Sequence, residues 1–226
     1  MKILALEFSS PQRSVAVLDA ASAPAPAARP SRLEAEEVET GAPSMQPLGM
    51  VDSALRSAGL EREQIECVAI GLGPGSYTGI RAAIALAQGW QLARPVKLLG
   101  LSSADALAAQ GWAEGLVGPV AVVLDAQRGE FYLANYQLTS AGWSVEQPLR
   151  LAGAKEVQAS ESAGHRLIGP EVTKWFPSGR LVSPRALTLA RLASGATHFV
   201  PGEKLEPLYL RPTQFVKAAP PRQLPG

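Results

Sequence analysis

Apolar residues in this chain come in two spacings, and the alternation between them lays out its elements. Unbroken short runs at residues 3–8 (ILALEF) and 14–19 (SVAVLD), separated by the turn-prone SSPQR, predict two strands joined as a hairpin. SRLEAEEVE, residues 31–39, fits either a third strand or a short helix. Between residues 45 and 58, Leu48, Val51, Ala54, Leu55 and Ala58 fall at helical spacing, with Gly59 as a stop. A buried strand follows at 65–72, then a glycine-rich turn, then a second helix over 79–93 that ends before Pro95. The second half repeats the plan. Three strands are predicted at 118–126, 130–138 and 143–151, a helix at 153–160, a strand at 166–169 and a helix opened by Pro184. Each half therefore reads strand, strand, strand, helix, strand, helix, an α/β fold made by duplication. PLYLR, residues 207–211, is expected to dock as a strand. The Ala/Pro loop at 20–30 and the tail at 211–226 offer nothing to a core and are expected to be exposed and flexible.

The duplication brings two carboxylates into corresponding places. Glu7 closes the first strand of the first half, and Asp125 closes the first strand of the second. One reading sets them face to face across a cleft, with Ser9 and Arg128 from the adjoining hairpins, able to hold magnesium beside a nucleotide phosphate. The plainer reading is two unrelated acidic residues at strand ends.

The turn IGLGPGSYTGIR tests three kinds of chemistry and fails each. A phosphate loop needs Lys-Ser or Lys-Thr after the last glycine, and Ile80 and Arg81 stand there. A dinucleotide fingerprint needs glycine where Thr78 or Ser76 falls, and a nucleophile elbow needs glycine where Pro74 and Thr78 flank Ser76. What remains is a tight turn at Gly73, Gly75 and Gly79 that lets the next helix come close to something, with Thr78 as its cap. That helix, GIRAAIALAQGWQLAR, is apolar nearly all round, so a sheet on one side leaves a second face to be covered. Ile80, Ile84, Ala87 and Trp90, with Met50 and Val51 from the first helix, are the interface candidates; each also fits the chain's own core.

Composition narrows the classes. With 46% hydrophobic residues the 226-residue chain can bury a sizeable core. Twenty-one Lys and Arg against twenty Asp and Glu leave a charge of +1, so no overall field draws the chain to nucleic acid or lipid. No run of about 18 apolar residues marks a membrane span. One cysteine, Cys67, and two separate histidines, His165 and His198, offer neither a disulfide nor a metal-ligand cluster, which points to a reducing, cytoplasmic setting and to no metal site of its own.

With these pieces in place the chain resembles the bacterial TsaB family, once called YeaZ. The resemblance runs through MKILALEFSS, SVAVLD, GLGPGSYTGIRAAIALAQGW, GLSSADALA, LDAQRGEFYLANY and EPLYLR in that order, and GPGSYTGIR is its specific part. It implies the duplicated RNase H-like fold of the actin and Hsp70 (ASKHA) type, one half at 1–102 and the other at 103–210. It implies a non-catalytic subunit that pairs with TsaD through the helices at 45–58 and 79–93. TsaD works with TsaE to move threonylcarbamoyl from its adenylate to the adenosine beside the tRNA anticodon. It further implies homodimers when the chain is alone, tRNA reached through the complex, and no cofactor of its own, with room for ATP or ADP and magnesium at a subunit boundary. Where TsaD carries His-x-x-x-His near the first helix, this chain has SMQPLGMVD, and Glu7 replaces the family's usual Asp. A reading from a different class is a stand-alone phosphotransferase or peptidase of the same fold, built on Glu7 and Asp125.

Overall fold

A computed structural model describes residues 1–20, 34–41 and 46–210; the Ala/Pro loop and the tail lie outside the described residues. The first half contains β1 (Lys2–Glu7), β2 (Gln12–Asp19), β3 (Glu34–Thr40), α1 (Pro47–Ser57), β4 (Cys67–Gly71), α2 (Tyr77–Ala93) and β5 (Lys97–Leu101). The stretch that fitted strand or helix is the strand β3, whose alternating exposure suits a sheet edge. After α3 (Ser103–Ala113), the second half supplies β6 (Gly118–Asp125), β7 (Glu130–Thr139), β8 (Gly142–Gly153), α4 (Ala154–Ser162), β9 (Arg166–Gly169) and β10 (Arg180–Leu181), and α5 (Ala186–Ala193) follows.

Two five-stranded sheets result, with orders β3-β2-β1-β4-β5 and β8-β7-β6-β9-β10. In each, the first three strands are antiparallel neighbours and the last two run parallel to the first. The two halves thus share one topology, the duplicated RNase H-like arrangement.

Strand alternation sends side chains to both faces of each sheet, and helices cover both. Leu4, Leu6, Val68 and Ile70 point to the face under α1 and α2, while Ile3, Ala5, Cys67 and Ala69 point to the face under α5. In the second sheet Val120, Val122 and Leu124 meet α3, whereas Ala121 and Val123 share a cluster with Val157 of α4. α5 follows the second sheet in the chain but packs on β1, β2 and β4 of the first, and it touches α3. Those two helices form a middle layer, and Ala106 of α3 belongs to the cluster that α5 builds. Pro207 to Leu210 is not a strand: among the described residues its one backbone bond to the body is Leu208 N–H to Leu72 O at 2.9 Å, too little for a ladder.

Candidate functional site: the outer face of α1 and α2

The glycine turn exists to bring α2 against the end of β1. A Cβ at Gly79 would lie 2.0 Å from the Phe8 carbonyl oxygen, and one at Gly75 would lie 2.1 Å from that of Ser9. Glycine is required at both places by backbone contact, and at Gly73 by a φ of +87°. Ser76 N–H donates to Ser9 O at 2.7 Å, fastening turn to hairpin. The cap of α2 is Ser76 rather than Thr78: its hydroxyl accepts from Gly79 N–H at 3.3 Å, and Thr78 is already inside the first turn.

Beneath the turn lies Glu7. Its carboxylate is completely buried, accepting from Ser9 N–H at 2.8 Å and from the Ser103 hydroxyl at 2.9 Å, and that hydroxyl in turn accepts from Gly73 N–H at 3.1 Å. Burial raises its pKa above the usual 4.5, against the pull of these hydrogen bonds. The longer side chain fits because Gly71 leaves space: a Cβ there would stand 2.1 Å from Glu7 Oε2. The face-to-face pair of carboxylates is therefore corrected. Ser9 and Asp125 do line a cavity of about 540 Å³ between the halves, but Glu7 is sealed below it and Arg128 lies outside it, in the exposed left-handed turn of the second hairpin. Asp125 accepts from both the backbone and the side-chain amide of Gln127, each at 2.7 Å. With Glu7 buried and both its oxygens occupied, these residues do not fit a shared magnesium ion in the cleft.

The interface candidates need a second correction. Val51, Ile80 and Ala87 are at most 1% exposed, and Ile84 and Met50 are buried as well; all five pack on the sheet in the chain's own core. Trp90 stands at the rim, half-buried against that core, its indole N–H without a partner among the described residues. The uncovered face is the opposite one. Thr78, Ala82, Ala85, Gly89 and Ala93 recur at helical spacing along α2, exposed except for the partly covered Ala82, and Leu92 beside them is 90% exposed. Residues 82–93 carry no charge. Leu48 and Gly49 of α1, which covers the same face of the sheet, are exposed as well, and Gly89 has no neighbouring atom within 4 Å of where its Cβ would be. Small side chains of this kind let another backbone approach closely, and an uncharged stripe costs little to dry. The sequence showed that a second apolar face had to exist but gave it the wrong residues, because the large Ile80, Ile84 and Trp90 carry more hydrophobic signal than the alanines and glycine that form it.

The family model described as "TsaD: tRNA N6-adenosine threonylcarbamoyltransferase" matches residues 44–174. A solved Pseudomonas aeruginosa structure described as YeaZ superposes with a TM-score of 0.73, at 27% identity, over 92% of this chain and 99% of its own. The chain belongs to the TsaB (YeaZ) family. A second Pseudomonas aeruginosa structure, described as similar to peptidase YeaZ, gives the same TM-score at 28% identity, over 93% of this chain and 99% of that one. The tRNA threonylcarbamoyladenosine biosynthesis protein TsaB of Escherichia coli is 36% identical over 101 residues, 44% of either chain. The TsaB protein of Haemophilus influenzae is 24% identical over 99% of both. The TsaB likeness thus extends over both duplicated halves. Among the described residues of this TsaB-family chain, no helix is long and apolar enough to cross a membrane.

Proposed function

We propose that this chain is a non-catalytic subunit of the tRNA threonylcarbamoyladenosine machinery. In this reading it presents the outer face of α1 and α2 to TsaD, which with TsaE transfers threonylcarbamoyl from threonylcarbamoyl-AMP to the adenosine beside the anticodon. The observation that carries the reading is the exposed face formed by Ala85, Gly89, Leu92 and Ala93, in a stretch of α2 from 82 to 93 that carries no charge. A helix so placed gains from a partner that buries it, at roughly 25 cal/mol per Å² of apolar surface removed from water. The chain shapes and steadies TsaD's active site and performs no chemistry itself. The reading as an independent phosphotransferase or peptidase loses its main support, because Glu7 is walled off from the cleft. A nucleotide with magnesium at the subunit boundary is compatible with the scaffold role and forms no part of it.

The test is Ala85→Asp, which sets one charge in the stripe without touching the core. The expected outcome on gel filtration is a folded chain that no longer co-elutes with TsaD. Ile84→Asp is the contrasting variant: it buries an unpaired carboxylate under α2 and is expected to unfold the half rather than block pairing. Normal complex formation by Ala85→Asp rejects the reading.

A further inference from the structure

Beside the outer face of α2 runs a groove of about 490 Å³. Arg81, Ala85 and Gln88 of α2 stand on one side of it, and Glu203, Glu206 and Tyr209 on the other. The second wall belongs to the segment that returns from α5 along the edge strand β5, and a set of hydrogen bonds fixes its height. Val200 N–H donates to Leu98 O at 2.9 Å, Gln88 Nε2 donates to Gly202 O at 2.8 Å, and Gly202 N–H donates to Gln91 Oε1 at 2.9 Å. Leu205 is buried in the core under α2. Glu203 and Glu206, on either side of it in sequence, are exposed, and neither has a hydrogen bond or ion pair among the described residues. Lys204 does not border the groove. Arg81, the one cation that does among the described residues, is engaged elsewhere: it donates to the Tyr77 hydroxyl at 2.9 Å, with its guanidinium 5.1 Å from that ring's centroid.

We propose that this groove receives a cationic side chain, lysine or arginine, from the partner that covers α2. The proposal rests on the reading that TsaD covers the outer face, and it names the chemistry TsaD brings to it. Ala85 belongs both to that face and to the groove wall, so a partner seated on the one closes the other. Closure takes water from two carboxylates that have no counter-charge among the described residues. Drying a carboxylate without a cation costs more than a stripe of alanine and glycine returns. A partner that offers only apolar surface here is therefore disfavoured, whereas one that offers a cation converts the penalty into charge-assisted hydrogen bonds. The two contacts then act differently. The apolar face holds the complex once formed, and the charges at its rim steer the encounter and select the partner.

The experiment is surface plasmon resonance of the full chain on immobilised TsaD across a range of salt concentrations. The parent is expected to associate more slowly as salt rises. Glu203→Gln with Glu206→Gln should slow association about tenfold at low salt and remove most of its salt dependence, while the thermal melt of the free chain stays unchanged. Glu203→Lys with Glu206→Lys should weaken pairing further, because like charges then meet in the groove. Leu92→Asp, which charges the face outside the groove, should abolish pairing at every salt concentration. The proposal is overturned if the double-Gln variant associates like the parent, the result expected of carboxylates answered within the chain, or if the double-Lys variant pairs more tightly. When Leu92→Asp blocks pairing in that same series, the reading of α2 as the TsaD face stands and only the groove proposal falls. Normal pairing by Leu92→Asp rejects the reading and the groove with it.

Discussion

Gly79→Ala should show how much of this fold hangs on one backbone contact. The added methyl would sit 2.0 Å from Phe8 O and 3.2 Å from Phe8 Cβ. An ordinary carbon to oxygen contact is about 3.3 Å, so helix and strand end must part by about an ångström. They cannot part freely: Ile80 and Ala83 next to Gly79 are buried, and Ser76 N–H holds Ser9 O. Overpacking at the upper end of the usual ~1–3 kcal/mol, with one hydrogen bond strained, outweighs the ~1 kcal/mol that alanine gains over glycine in a helix. A net loss of about 2–3 kcal/mol lowers the melting temperature of a chain this size by about 4–12 °C. Gly89→Ala is the matched comparison, since it lies in the same helix with nothing near the new methyl, and it should raise the melting temperature by about 1–4 °C. The assay is thermal unfolding followed by circular dichroism, with gel filtration against TsaD alongside. Gly79→Ala should also weaken pairing, because it displaces the outer face of α2 as it lifts the inner one. Equal melting temperatures for the two variants would refute the close-approach argument.

Two other outcomes follow from buried groups. Glu7 holds its proton more tightly in the folded chain than in the unfolded one, so its contribution to stability is complete below pH 4.5 and is lost as pH rises toward the raised folded value. Glu7→Gln, which cannot ionise, should lose less stability than the parent between acidic and neutral pH in urea titrations; parallel profiles would contradict the burial. Asp105, raised by desolvation against its bond from the Tyr136 hydroxyl, acts with the same sign in both proteins and cancels in the comparison. Burial pushes the Cys67 thiol up to about 11, so a thiol reagent at neutral pH should label it only as the chain unfolds in denaturant, and prompt labelling of the native protein would contradict its place under α5.

The periodicities alone determined β1, β2, β4, β6 to β9 and the helices α1, α2, α4 and α5, because a period of two or of 3.6 is a local property that packing here reinforced; they left β3 open, passed over β5, α3 and β10, and made a strand of PLYLR, where residues 207–210 form none. Tertiary structure decided which side of α2 faces inward. A helix made of Ala, Ile, Leu and Gly is apolar in every direction, so its own pattern does not choose; the close approach at Gly79 does, turning Ile80, Ala83, Ile84 and Ala87 onto the sheet and leaving Ala85 and Gly89 outside. Glu7 teaches the same lesson. A carboxylate at a strand end can point to solvent or to the interior, and only the neighbouring parallel strand, which brings Gly71 beside it, and the arrival of Ser103 from 96 residues away made burial affordable. Nothing in the run LALEFSS foretells either partner, because both are brought together by the sheet and not by the chain.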